Sequence, residues 1–309
     1  MSNGLGGIVG QGKLLIERAR ARFAPVDVVI TTFKGFSQDD GSSYAAALTY
    51  YTFLSIFPLL LFGLAALGYI TFGNEELVND IVDAGLEAAP LLGGILKRNF
   101  IDALQERRGQ LALTGFVLAL YSGSGAIVAL EHALNKLHHV AVEPNFVAKR
   151  LRSLGWLAIL GVAAVASLAL STVARFAGSL FAGLGPASEF ATPLLSSVAA
   201  IGASTLVFSS AYRFLPAKPL GWKDVLPGAI LAAVLFEILK VGGATYLRAG
   251  AQNRQATFGV FATAAGLLIA SYLVCQITLL CAELNVVLAE RRLTRQSQVT
   301  TTPSPGGST

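Results

Sequence analysis

Residues Ala47 to Leu61 read ALTYYTFLSIFPLLL, a run that is apolar enough to lie in a lipid bilayer. It is part of a longer stretch without charged residues, Gly41 to Asn74. A helix that crosses a membrane needs about 20 mainly apolar residues. The run is therefore long enough to be a transmembrane helix, and it predicts a membrane protein.

The composition of the whole chain agrees with this prediction. Hydrophobic residues make up 54% of the 309 residues and charged residues only 13%, whereas soluble domains contain about 25% charged residues. Five further runs are long enough to cross a bilayer, and one of them contains two charged residues. They are Gly109 to Leu130, Ser153 to Ala174, Phe190 to Tyr212, Val225 to Leu247 and Gln255 to Ala282. The sequence thus predicts an all-α, polytopic membrane protein with six transmembrane helices.

The positive charges predict its orientation, because cytoplasmic loops of membrane proteins are enriched in Lys and Arg. With six spans, fifteen of the 23 Lys and Arg residues fall on one side, seven fall on the other, and Lys240 lies in a span. We therefore expect both termini in the cytoplasm, and no cleaved signal peptide ahead of the first span. The fifteen are Lys13, Arg18, Arg20, Arg22, Lys34, Lys136, Lys149, Arg150, Arg152, Arg213, Lys218, Lys223, Arg291, Arg292 and Arg295.

The segments outside the spans differ in composition. Apolar and basic residues mix before the first span, which predicts two short amphipathic helices on the inner leaflet, divided at Pro25. Helical spacing between the first two spans predicts an external helical excursion. We divide the chain into a cytoplasmic or interfacial segment (residues 1–36), a transmembrane domain (37–290) and a disordered cytoplasmic tail (291–309).

Polar residues form one stripe along the first predicted helix. Tyr44, Tyr51 and Pro58 are seven residues apart, and Ser55 follows Tyr51 by four. Pro58 frees a backbone carbonyl, which a neighbouring helix, a hydroxyl or water must satisfy inside a bilayer. The stripe lines either a polar cavity or a kinked seam between helices.

Two charged residues lie inside the fifth predicted span. Glu237 is ten residues beyond Pro227, so a rise of about 1.5 Å per residue places it about 15 Å deep, near the middle of the bilayer core. Lys240 follows on the same helix face. The pair either lines a substrate path or neutralises its own charge.

Further polar residues near the predicted inner boundary form a candidate cytoplasmic mouth, with helix capping and snorkelling as the alternative explanation. They are Asp39, Asp40, Glu131, Tyr212, Arg213 and Glu283.

The sequence lacks the spacing of known catalytic motifs. The only histidines are His132, His138 and His139, and they do not form a hydrolytic metal motif. We therefore predict no enzymatic activity, no bound metal and no cofactor. The basic loops are explained by membrane topology, so a nucleic-acid partner is not expected.

Three segments carry a family resemblance. They are DDGSSYAAALTYYTFLSIFPLLL at Asp39 to Leu61, YRFLPAKPLGWKDVLPGAILAAVLFEILK at Tyr212 to Lys240, and QATFGVFATAAGLLIASYLVCQITLLCAELNVVLAE at Gln255 to Glu290. Together they resemble the YihY/virulence factor BrkB family of bacterial inner-membrane proteins. The resemblance implies six transmembrane helices, both termini inside, and a location in the bacterial inner membrane. Where the family usually has Tyr-Gly before the last helix, this chain has Phe258-Gly259.

The resemblance and the polar residues lead to one main functional prediction and two alternatives. The main one is a transporter or translocator that moves an envelope lipid or other amphiphile through a polar interior cavity, with membrane lipids as partners. The first alternative is a non-transporting scaffold for envelope biogenesis. The second is a ribonuclease, after the legacy family label ribonuclease BN.

The charge distribution generates a topology test. A tag inserted near Gly93 should be reached by membrane-impermeant reagents added to intact cells, and tags at either terminus should not, because the basic residues concentrate on the termini's side. Labelling before and after permeabilisation is the measurement. A terminus that is labelled in intact cells would reverse the predicted orientation.

Overall fold

The computed structural model describes residues 24–70, 108–141, 145, 147–159 and 187–300, and these residues are helical apart from short turns. No strand occurs in these ranges, which confirms the all-α fold class. The helices are α1 (Ala24–Gln38), α2 (Gly41–Ile70), α3 (Arg108–Leu137), α4 (147–159), α5 (Ala187–Phe214) and α6 (Trp222–Thr300).

The last helical run folds back on itself. The backbone N–H of Gly228 donates to Oδ1 of Asn285 at 2.7 Å, and Nδ2 of Asn285 donates to the carbonyl of Val225 at 3.1 Å. In a straight helix, Gly228 and Asn285 would be about 85 Å apart. The chain therefore reverses between them, and we call Trp222–Gly243 the first arm of α6 and Ala264–Thr294 its second arm.

Four helical segments in the described part of the chain are long and apolar enough to cross a membrane. They are Gly41–Leu60, Leu113–Leu137 and the two arms of α6, which match the predicted first, second, fifth and sixth spans. The predicted fourth span coincides with α5, whose 28 residues extend about 42 Å. Most of the predicted third span lies outside the described residues, so the number six stays a prediction.

Other predicted segments also fall outside the described ranges: the external excursion, the chain before Ala24 and residues 301–309 of the predicted tail. Residues 291–300 continue α6, so the prediction of disorder is wrong for this part of the tail. The part of the amphipathic segment that is described forms α1. This helix begins at Ala24, so Pro25 lies in its first turn, where a missing N–H is tolerated. Val29 and Phe33 are exposed on its outer side, and Phe36 is buried on its inner side.

Tight turns explain where the helices end. Asp40 adopts φ 57° between α1 and α2, and its carbonyl accepts the N–H groups of Ser43 and Tyr44. A Cβ at Gly41 would overlap the ring of Phe36, so only glycine allows this close corner. At the end of α3, His139 adopts φ 50°, a left-handed residue of the kind that commonly terminates helices.

Contacts between helix ends gather at one end of the bundle, which we call the basic end. Nε2 of His139 lies 3.7 Å from Oδ2 of Asp39, which joins the end of α3 to the start of α2. The N–H of Ala217 donates to Oδ1 of Asn135 at 2.8 Å, which joins the segment after α5 to α3. The guanidinium of Arg291 also pairs with the carboxylate of Asp27, so the first and last described helices meet as well.

The best-packed core lies near the basic end. Leu134, Leu137, Leu215 and Leu279 are almost completely buried there. Large apolar side chains on the outside of the helices are exposed, for example Leu113 at 67% and Val241 at 67%. An apolar exterior is what a bilayer requires, because lipid and not water surrounds it.

Gly228 provides a test of how closely the two arms of α6 approach. A Cβ at this position would overlap the carbonyl oxygen of Cys281 and lie 2.6 Å from both side-chain polar atoms of Asn285. Gly228→Ala should separate the arms and weaken the Asn285 hydrogen bonds, at a cost of about 2–4 kcal/mol. A lower unfolding temperature of the purified protein is the expected measurement.

Gly242→Ala is the matched control, because it lies on the same arm and a Cβ there meets nothing within 4 Å. This change should leave the unfolding temperature unchanged or raise it slightly, since Ala favours a helix more than Gly does. Equal losses in the two variants would contradict the close approach at Gly228.

Candidate functional site

Glu237 and Lys240 lie inside the first arm of α6, and we call them the midspan pair. Nζ of Lys240 lies 2.7 Å from Oε1 of Glu237, which confirms that the two side chains meet on one helix face. The hydroxyl of Ser204, on α5, lies 3.3 Å from the same oxygen as a donor. The side chains of Glu237 and Lys240 are 18% and 34% exposed, so neither is sealed in the protein.

The midspan pair adjoins apolar surface. Nζ of Lys240 lies 5.1 Å from the centre of the Phe236 ring, a cation–π contact. Ile238 and Val241 are exposed at 61% and 67% on the same arm. Opposite charges and lipid-facing side chains therefore occur together on a single stretch of helix.

The two tyrosines of the α2 stripe contact α3. The ring of Tyr44 meets that of His132 edge-on, with centroids 5.7 Å apart. The ring of Tyr51 lies across Gly125, where a Cβ would be 3.2 Å from Cδ1. These contacts form a seam between helices. Tyr51 nevertheless keeps 42% of its surface exposed, so the cavity role predicted for the stripe stays a prediction.

Ser55 and Pro58 complete the stripe. Ser55 is buried, and its hydroxyl donates to the carbonyl of Thr52 in the same helix at 2.8 Å. The helix continues through Pro58 to Ile70. The buried serine hydroxyl is thus satisfied locally.

The residues predicted for the mouth occupy different environments at the basic end. Asp40 is exposed and caps α2 through its backbone carbonyl. Asp39 faces His139. Glu131 is fully buried, with Oε1 3.4 Å from Nη1 of Arg152 on α4. These three carboxylates therefore do not form a single ring around an opening.

Tyr212 and Arg213 have different surroundings. Tyr212 is 1% exposed, and its hydroxyl donates to the carbonyl of Thr278 on the second arm of α6 at 2.7 Å. The guanidinium of Arg213 lies 4.4 Å from the centre of the Trp222 ring and 5.4 Å from that of Phe214. Tyr212 joins two helices, and Arg213 lies among aromatic residues of the kind found at membrane interfaces.

Glu283 is buried in the second arm of α6, at 3% exposure, beneath α1. A Cβ at Gly35 of α1 would overlap Oε1 of this carboxyl group. Oε2 has no hydrogen-bond partner among the residues that the structure describes. Glu283 is therefore an inward-facing carboxyl group that α1 covers.

The sequence did not assign a role to Asn135, Asn285, Arg152 or Ser204, although each makes a contact between helices. Both asparagines are buried and bond to backbone groups of other segments. An asparagine inside an apolar run is a signal that could have found them, because polar residues in membrane helices face other helices.

Burial lowers the pKa of His138, just beyond the end of α3, to about 4, and nearby Lys218 and His139 act in the same direction. This imidazole is neutral at pH 7, which allows it to pack at the basic end. In the described part of the chain, no three His, Cys, Asp or Glu residues are grouped so that they could hold a metal ion.

Comparisons with known proteins agree on a membrane family. The family model of virulence factor BrkB matches residues 32–304. YfkH of Bacillus subtilis, which carries a ribonuclease-like name, is 30% identical over 84% of this chain and 94% of its own length. The inner membrane protein YhjD of Escherichia coli is 28% identical over 82% and 78%. A UPF0761 membrane protein of Nitrosospira multiformis is 24% identical over 92% and 66%. No solved structure matches the chain.

The midspan pair generates a stability test. Glu237→Gln or Lys240→Met leaves one charge without its partner, so each should reduce the free energy of unfolding by about 1–3 kcal/mol. The double variant removes both charges and should lose less than the sum of the two. Unfolding of the purified proteins in detergent measures the coupling.

Ser204→Ala is the control, because it removes only a neutral hydrogen bond and should cost about 1 kcal/mol. Additive losses from the two charge substitutions would mean that the pair contributes no coupling energy.

Proposed function

We propose that this chain, which belongs to the virulence factor BrkB family, moves an envelope lipid or another amphiphile across the bacterial inner membrane. The observation that carries the proposal is the midspan pair of Glu237 and Lys240. Charged side chains are costly inside a bilayer, and in membrane proteins they commonly mark substrate or ion pathways.

The chemistry of the midspan pair fits the headgroup of a lipid. Lys240 offers a positive charge to a phosphate, Glu237 offers a negative charge to an amine, and Ser204 adds a hydroxyl. The exposed Ile238 and Val241 provide an apolar surface beside these groups. A headgroup can contact the pair while the acyl chains remain in the bilayer. A small polar solute would not need the apolar surface beside the pair.

The proposal includes the architecture predicted from the sequence. Six spans cross the inner membrane and both termini lie in the cytoplasm, with the segment 1–36 before the transmembrane domain 37–290 and the tail 291–309 after it. The four apolar spans and the length of α5 support this count. The ion pair of Asp27 with Arg291, near the two ends of the described chain, supports termini on one side.

The proposed path continues from the midspan pair towards α2. Tyr51 is the member of the α2 stripe that keeps the most exposed surface, so its hydroxyl is available to a headgroup. In this proposal Tyr44, Ser55 and Pro58 lie on the same face of α2 as Tyr51. Of the predicted mouth residues, Arg213 is half-buried and has the charge to attract an anionic headgroup at the interface.

A lipid-translocation assay tests the proposal. Purified protein is reconstituted in vesicles of phosphatidylethanolamine and phosphatidylglycerol that contain a trace of fluorescent phosphatidylethanolamine, and a membrane-impermeant reductant destroys the fluorophores in the outer leaflet. Wild-type protein should make the inner-leaflet fluorophores accessible over time. The double variant Glu237→Gln, Lys240→Met should slow this exchange about ten- to a hundredfold, the effect of one or two lost charge-assisted hydrogen bonds.

The matched control is Asp224→Asn, which leaves Arg292 bonded to the carbonyl of Lys223. It breaks another ion pair of the same protein, with Nη1 of Arg292 3.1 Å from Oδ1 of Asp224, but at the basic end and partly exposed. This variant should translocate lipid at the wild-type rate. Equal rates in the wild type and the midspan double variant would contradict the proposed path.

The same preparations distinguish the two alternatives. A folded wild-type protein that moves no lipid in these vesicles would favour a scaffold. RNA cleavage that survives purification and disappears with His132→Ala or His139→Ala would favour a ribonuclease, the activity to which the name of YfkH refers.

A further inference from the structure

Glu283 lies beneath α1, in surroundings where a negative charge is unfavourable. The proposed lipid movement through the midspan pair does not use this contact. Glu283 is 3% exposed and is covered by Gly35. The fit is so close that a single methyl group on Gly35 would overlap Oε1. Water and hydrated cations are therefore excluded from the side of the carboxyl group that faces α1.

The electrostatic surroundings of Glu283 add to this cost. Oε2 has no hydrogen-bond donor within the described ranges. Asp39, in the turn after α1, and Glu290, on the same helix as Glu283, both act on the carboxyl group with negative charge. A buried carboxylate without donors costs several kcal/mol, whereas a protonated carboxyl group costs much less.

Nearby positive side chains are engaged elsewhere or point away. The guanidinium of Arg291 bonds the carboxylate of Asp27 and, at 3.3 Å, the hydroxyl of Thr31. His139 faces Asp39, and the side chain of Lys34 is exposed. These contacts leave Glu283 next to acidic neighbours without a counter-charge from α1, α3 or its own helix.

We propose that Glu283 is a proton-binding site and that its proton decides whether α1 remains seated on the second arm of α6. With the proton bound, the neutral carboxyl group fits under Gly35. When the proton leaves, a negative charge forms beneath α1 beside Asp39 and Glu290, and α1 moves away so that water can reach the carboxylate.

The fold supplies a hinge for this movement. α1 joins α2 through the two-residue turn of Asp39 and Asp40, and Asp40 already adopts φ 57°. The ion pair of Asp27 with Arg291, at the opposite end of α1, opens when the helix leaves. Val29 and Phe33 are exposed on the outer face, so the bilayer surface can receive the helix when it leaves its seat.

Hydrogen exchange of the full chain in lipid nanodiscs tests the proposal. The amides of residues 24–38 are followed by mass spectrometry as pH is raised, and rates are corrected for the intrinsic effect of pH on exchange. Opening that releases one proton should rise by up to about tenfold per pH unit above the transition. α1 should therefore be protected at low pH and exchange faster at high pH.

Two variants separate a proton site from general unfolding. Glu283→Gln mimics the protonated form, so α1 should stay protected at every pH tested. Glu290→Gln neutralises an exposed carboxylate on the same helix, so the pH dependence should persist and move slightly to lower pH. Persistence of the wild-type pH dependence in Glu283→Gln would overturn the proposal.

Infrared spectroscopy of the wild-type protein gives a second measurement that does not require the Glu283→Gln variant to fold. A carboxylic-acid C=O band should be present at low pH and disappear over the same pH range in which α1 exchange increases. Asp39→Asn removes a repelling charge, so it should move both changes to lower pH. Exchange of α1 that does not vary with pH, or a band that titrates independently of it, would contradict the proposal. All these measurements omit substrate, so they do not depend on lipid movement.

Discussion

The side chain of Asn285 forms the interaction on which the rest of the structure depends. Its two polar atoms bond the backbone of Val225 and Gly228, and this brings the beginning of α6 against the second arm of the same helical run. Nearby, Nη1 of Arg292 donates to the carbonyl of Lys223 at 2.7 Å, the group that Pro227 cannot bond because it has no N–H. Unmet backbone groups are costly in lipid, so these bonds make the antiparallel pairing of the arms specific.

Side chains are closely packed at one end of the bundle, and they are less completely buried farther along the first arm of α6. At the basic end, buried leucines, Tyr212 and Asn135 join α3, α5 and α6. Farther along the first arm, Glu237 and Lys240 keep part of their surface exposed beside lipid-facing side chains. The bundle therefore combines a closely packed end with a charged pair that is only partly buried.

The packing also gives physical reasons for segments that carry the family resemblance. In YRFLP, Tyr212 bonds the carbonyl of Thr278, Leu215 is buried, and the chain just after the motif bonds Asn135. In the segment that starts α6, Gly228 permits the approach of Cys281. These residues hold helices together, and Glu237 and Lys240 form an ion pair farther along the first arm of α6. Two of the relatives' names state a membrane protein and the third is ribonuclease-like, so the names give no common activity and the proposed function depends on that pair.

The sequence by itself determined the class of protein, because the transfer of an apolar helix into lipid depends on the composition of about 20 consecutive residues. Four of the six predicted spans are present as apolar helices, and the Glu237–Lys240 contact follows from a spacing of three residues. Only the tertiary structure decided that Tyr212 and Glu283 face inward, that Asn285 reaches Gly228, and that α1 covers Glu283. Those contacts join residues far apart in the chain. They depend on how each helix is rotated and how closely it approaches its neighbours, which is set by the sum of many weak packing contacts that no local pattern contains.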